Sequence, residues 1–149
     1  MFYDTVDSTR KFRLGTRVKD SAGNEYIYLT GLTATAVGSW VAYDELHITS
    51  LLITTSIGPC AVAKAAVDAS TKFGWYLIKG SGLGLALTAF ADNATVNGTA
   101  TAGSVDDNAV AAAAELNVFG AWGRSAVNET TLLATFQLNY PYKSLALLD

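Results

Sequence analysis

Turn-forming residues interrupt this sequence roughly every 8 to 12 residues, and the runs between them are short and rich in Val, Ile, Leu, Thr, Tyr and Trp. That spacing is the rhythm of an all-β fold, a compact antiparallel β-sandwich or β-barrel of short strands. The clearest unit spans residues 16–30. Thr16-Arg-Val-Lys19 and Glu25-Tyr-Ile-Tyr-Leu-Thr30 flank a Gly-containing loop, Asp20-Ser-Ala-Gly-Asn24, and together predict a hairpin. A period of two puts Tyr26, Tyr28 and Thr30 on one face and Ile27 and Leu29 on the other.

Further strands are predicted over 40–43, after a Gly38-Ser39 turn, over 47–55, and over 60–67, launched by Gly58-Pro59. A Gly80-Ser81 turn divides 72–79 from 82–89, and Asp92-Asn93 turns the chain into 94–102. Runs over 116–122 and 130–138 are the last two strands, with Tyr140-Pro-Tyr142 as a tail beyond them. Two Ala-rich stretches compete with this pattern, since alanine is the best helix former. The one over 60–70 reads as strand, and the one over 109–115 as a loop or a single helical turn.

Half of the 149 residues are hydrophobic and only 15% are charged, against about 25% in an average soluble domain. A chain so apolar has ample material for a core and is not disordered. Its most apolar runs, over 82–91 and 109–114, fall short of the roughly 18 residues that span a bilayer, so no membrane partner is expected. The net charge of −3 argues against nucleic acid as a partner, because phosphate contacts need surplus Lys and Arg. The single cysteine, Cys60, excludes an intrachain disulfide and a multi-cysteine zinc site. Early acids and no apolar h-region near the start are unlike a secretory signal, so synthesis in a reducing cytosol is expected.

Charge is placed unevenly. The first 19 residues hold Arg10, Lys11, Arg13, Arg17 and Lys19 against Asp4 and Asp7, a balance of +3, which leaves −6 for the remainder. Such polarity fits a docking arm on an acidic partner, and equally a strand edge guarded against edge-to-edge pairing. The expected organisation is an extended N-terminal arm over residues 1–15 and one β-domain over 16–149.

Catalytic chemistry has little to work with. Cys60, His47 and Asp44 are the residue types of a thiol triad, yet Cys60 lies in an apolar run, where a small buried hydrophobe is the plainer reading. Asp92-Asn93 and Asp106-Asp107-Asn108 offer oxygen ligands without calcium-loop spacing and serve equally as turn formers. Gly80-Ser-Gly-Leu-Gly84 matches neither phosphate-loop pattern and leads into a strand, so close backbone approach in a hairpin is its better reading. Asp44-Glu45 beside Trp40 and Tyr43 resembles the rim of a sugar platform, which makes a carbohydrate-binding module the alternative function. No enzyme activity, cofactor or metal is expected. Phe73, Trp75, Tyr76, Phe119 and Trp122 supply core filling or interface anchors, and the tail aromatics a subunit contact.

The order of several motifs carries a resemblance. Phe12-Arg-Leu-Gly-Thr16 leads into Asp20-Ser-Ala-Gly-Asn-Glu-Tyr-Ile-Tyr28, followed by Lys72-Phe-Gly-Trp-Tyr-Leu-Ile-Lys-Gly80, Thr99-Ala-Thr-Ala-Gly-Ser-Val-Asp-Asp107 and a closing Phe136-Gln-Leu-Asn-Tyr-Pro141. From about residue 12 onward the chain resembles the small proteins that decorate or cement the heads of tailed bacteriophages. The basic N-terminal lead and the 40–47 segment have no counterpart in that pattern. The resemblance implies an all-β virion protein on the outer capsid surface, bound to the major capsid protein in many copies and without catalysis. On that basis a homotrimer is expected. Phe2, Tyr3, Arg10, Lys11 and Arg13 become the candidate capsid-docking residues, and Tyr140, Pro141 and Tyr142 the candidate oligomer contacts.

Overall fold

The structure is a computed structural model that describes residues 2–107 and 116–144. The expected hairpin forms: β2 (Arg17–Lys19) pairs antiparallel with β3 (Glu25–Thr30), with Val18 opposite Tyr26. Its loop is held by Asp20, whose carboxylate accepts the amides of Ala22 and Asn24, both at 2.9 Å. A short 3-10 turn (Phe2–Asp4) and β1 (Val6–Asp7) precede this hairpin. After it come β4 (Trp40–Tyr43), β5 (Thr49–Leu51), β6 (Gly58–Ala63) and β7 (Phe73–Leu85). The remaining strands are β8 (Thr95–Gly98), β9 (Val105–Asp106), β10 (Asn117–Gly123) and β11 (Leu133–Lys143).

Among the described residues these eleven strands form one antiparallel sheet, with the order β2-β3-β7-β6-β11-β10-β8-β9 and β4-β5 attached to β6. It does not close into a barrel. It folds over as a sandwich because β7 serves two neighbourhoods. The first half of β7 pairs with β3 and β6, and the second half pairs with β11 from Lys79↔Asn139 to Leu85↔Leu133. The expected turn at Gly80-Ser81 is therefore absent, and the strand runs straight through. Gly80 takes φ 107°, a bend that L side chains resist, and an added Cβ would meet Asn24 Oδ1. Asn24 Oδ1 in turn accepts the Ser81 amide at 3.1 Å, so a side chain supplies the hydrogen bond that the bend takes from the ladder.

The tail is also a strand. Residues 133–143 are continuous, with Tyr142 opposite both Phe119 and Pro59. Pro141 is accommodated in a bulge where residues 139–141 face the single Gly120, at φ 77°, so its missing N–H removes no ladder bond there. Other boundaries contract. The 47–55 run keeps only Thr49–Leu51, because Asp44 accepts the Leu46 and Ile48 amides and turns the chain before it. The 60–67 run ends at Ala63, and the 94–102 run at Gly98. The 109–115 stretch lies outside the described residues.

Two clusters hold the layers. Trp40, Trp75, Tyr28, Phe90 and Phe136 fill the space between them, with Trp40 and Phe136 edge to face at 5.0 Å. Gly84 permits that contact, since a Cβ would lie 2.8 Å from Trp40 Nε1. On the opposite face of the first layer, Ile27, Leu29, Val41, Ala61, Val67 and Tyr76 form a second cluster. Strand β3 is thus buried on both sides, with the alternation as predicted and neither face in water.

The N-terminal segment packs along this sheet instead of standing off it. Tyr3 stacks on Tyr26 with ring centroids 4.3 Å apart, and β1 adds to β7 through Val6↔Gly74 and Asp7↔Phe73. Phe12 lies 5.3 Å from both Tyr28 and Trp75. An extended arm would leave these rings in water, which is the free energy that folds it back.

Candidate interaction surfaces

The residue types of a thiol triad do not come together. Register Ala42↔Cys60 puts Cys60 on the inner face of the sheet, where burial pushes its thiol up to about 12. His47, at φ 63°, stacks on Tyr43, which packs on the outer cluster. Asp44 is committed to its own turn. Asp107 accepts the Ala91 amide at 2.7 Å, which ties two segments distant along the chain, and Asp106, within β9, accepts the Asp107 amide at 2.9 Å; Asn108 lies outside the described residues. Among the described residues, no three His, Cys, Asp or Glu side chains converge.

The sugar platform loses its main element. Trp40 has no accessible surface, so it presents no face to a pyranose ring. Sequence spacing could not show this, because a Trp after a turn serves a rim and a core equally well.

The candidate docking residues divide. Tyr3 is buried, and Phe2 opens the 3-10 turn with its side chain outside the described part. Lys11 pairs with Asp7 at 3.0 Å. Burial pushes the Asp7 carboxyl up, but hydrogen bonds from Tyr28 and Lys11 and the Lys11 charge outweigh it, holding the group below its ordinary range. Arg10 and Arg13 are exposed, and neither forms an ion pair among the described residues.

The basic segment borders a cleft. Gly15, two residues beyond Arg13, packs so close to the His47 ring that a Cβ would lie 2.5 Å from it. The loop carrying His47 forms one wall of a cleft of about 470 Å³, lined by Tyr43, Asp44, Ile48, Thr49, Ile57 and Pro59. Beside the carboxylates of Asp44 and Glu45, which also line it, the cleft exposes Ile57 at 64% and Ile48 at 50%, and Leu46 of the same loop is 64% exposed. Burial pushes Tyr43 up, with Arg17 beside it pulling the other way. The sequence reading did not single out Leu46, Ile48 or Ile57. The available signal was the period-two pair Leu46 and Ile48 beside an Asp44 turn, and a single Ile57 ahead of Gly58-Pro59.

Of the candidate oligomer contacts, Tyr140 is engaged within its own chain. Its hydroxyl donates to Glu25 at 2.5 Å, and its ring lies under Lys79 at 5.5 Å and Arg17 at 5.8 Å. The Glu25 hydrogen bond raises its pKa. Pro141 is buried, while Tyr142 is half exposed and stacks on Phe119 at 5.3 Å. No protein-family model matches the chain, and neither a curated protein nor a solved structure matches it.

Proposed function

We propose that this chain is a virion structural protein that decorates and stabilises the head of a tailed phage by binding junctions between copies of the major capsid protein. The observation that carries the reading is the exposed aliphatic rim of Leu46, Ile48 and Ile57 beside the basic Arg13 segment. The order of motifs along the chain supplies the identity of the partner. The function is adhesion, with the protein on the outer capsid surface after synthesis in the host cytoplasm.

Each rim side chain, when covered, contributes on the order of 2 kcal/mol of gross hydrophobic free energy. Association entropy and polar desolvation offset most of it, so one copy binds modestly. A homo-oligomer, expected to be a trimer, engages several capsid subunits at once and gains avidity without new contacts. The exposed guanidiniums of Arg10 and Arg13 steer the approach to an acidic capsid surface and make the on-rate salt-dependent.

Cosedimentation with purified heads tests this. The wild-type protein saturates the heads, and Ile57→Asp loses at least about tenfold in affinity while keeping its melting temperature. Failure of the wild type to bind heads built from the cognate capsid protein overturns the reading.

A further inference from the structure

Lys143 differs from the other lysines of the chain in being buried, at 1% exposure. It stands in β11 opposite Gly58, and its side chain passes Gly98 of β8, where an added Cβ would lie 3.0 Å from Lys143 Cε. The ammonium ends at the turn that joins β5 to β6. There it donates to the backbone carbonyls of Thr54 and Ser56. The turn is closed by its own ends: the Ser56 amide donates to the Ile53 carbonyl at 3.2 Å, and the Ile53 amide to Ser56 Oγ at 2.9 Å. Ile53, Thr55 and Ile57 are exposed along this segment, while Thr54 and Ser56 are half-buried.

We infer that Lys143 is the positioning residue of the 53–57 segment, and through it of Ile57 on the docking cleft. Its consequence for docking rests on the capsid reading, whereas its hold on the turn does not. Taking an ammonium out of water is costly unless its protons are bonded. A methionine would fill much the same space between β8 and the turn without that cost, yet it would leave two half-buried carbonyls without this donor. The lysine therefore contributes direction rather than volume. One cation draws two carbonyls toward a single point, and the turn keeps the conformations in which both reach it. Ile57 sits between the two places where Lys143 acts. The carbonyl of Ser56, the residue before it, accepts from the ammonium, and Gly58, the residue after it, is set opposite Lys143 by strand register. Both neighbours of the 64% exposed Ile57 are thus fixed by one residue of β11.

Nuclear magnetic resonance of the full chain, without heads, tests the hold on the turn. In the wild type the Lys143 ammonium gives its own 1H–15N signal at neutral pH, with contacts to Thr54 and Ser56, because burial slows its exchange with water. In Lys143→Met the backbone order parameters of residues 53–57 fall from about 0.85 to below about 0.6, while those of β3 stay near the rigid value. A wild type without a protected ammonium signal overturns the inference, and that measurement decides it even if the variant fails to fold. A folded variant whose 53–57 segment stays as ordered as the wild type overturns it too, as does one that loosens β3 equally. Cosedimentation with heads then reads the consequence for docking: folded Lys143→Met loses at least about fivefold in affinity. If it binds as the wild type does, the positioning of Ile57 is overturned and the capsid reading stands. A wild type that binds no heads overturns the capsid reading, and the order parameters alone then decide the role of Lys143.

Discussion

Replacing Tyr28 with Phe removes one oxygen and tests how the N-terminal segment is held. The Tyr28 hydroxyl donates to Asp7 Oδ2 at 2.7 Å and accepts the Lys11 amide at 3.3 Å, so it joins both ends of the segment to the sheet. Asp7 is buried, with Lys11 as its ion-pair partner. A hydrogen bond to a charged group contributes about 1.5–3 kcal/mol. Tyr28→Phe therefore costs about 2 kcal/mol at neutral pH, or roughly 6 °C in melting temperature for a chain of this length. The cost depends on pH in a defined direction. Asp7 is held below its ordinary value of 3.8, so its contribution is complete above that value and is lost as pH falls through the lower folded value. The gap between wild type and variant is thus full at neutral pH and narrows in acid. Tyr26→Phe is the comparison. Its hydroxyl donates to Asp20, which keeps bonds from Ala22 and Asn24, so that variant costs under about 1 kcal/mol. Urea denaturation at a series of pH values reads all of this. A Tyr28→Phe cost below about 0.5 kcal/mol, or one that does not change with pH, refutes the reasoning.

Deleting residues 1–13 uncovers Tyr26, Tyr28 and Trp75 and removes the β1 pairing, so the truncated domain is less stable by about 3 kcal/mol or more in chemical denaturation. Gly84→Ala drives a methyl group toward Trp40 Nε1 and the Phe136 ring and costs about 1–3 kcal/mol, seen as a lower urea midpoint. Cys60 stays unreactive toward a thiol reagent in the native protein at pH 8 and reacts on unfolding, because burial holds it as the neutral thiol.

The strand rhythm was legible because turn chemistry and period-two alternation are local, and β3 shows it: Tyr26 and Tyr28 face one cluster, Ile27 and Leu29 the other. Burial of both faces was not legible, since alternation between two apolar sets does not say what covers either. Gly80-Ser81 and Tyr140-Pro-Tyr142 were misread for one reason. Glycine and proline mark a turn and a bulge with the same residues, and only the partner decides: Asn24 at Gly80, and Gly120 at the 139–141 bulge. At the N-terminus the basic charges suggested an outward arm with Tyr3 among its docking residues, whereas the rings of Tyr3 and Phe12 pack on the sheet and settle where the segment lies. Of the candidate surfaces, Tyr142 and the exposed guanidiniums were visible in the sequence. The aliphatic cleft was not, because Ile57 meets Ile48 only once the chain has folded through β5 and back into β6.

A density map of the assembled head with this protein bound tests the central claim most directly. The account predicts density on the outer surface at junctions between capsid subunits, with the Leu46, Ile48 and Ile57 rim turned toward the capsid. Saturated heads without added density, or density in which that rim faces solvent, contradicts it.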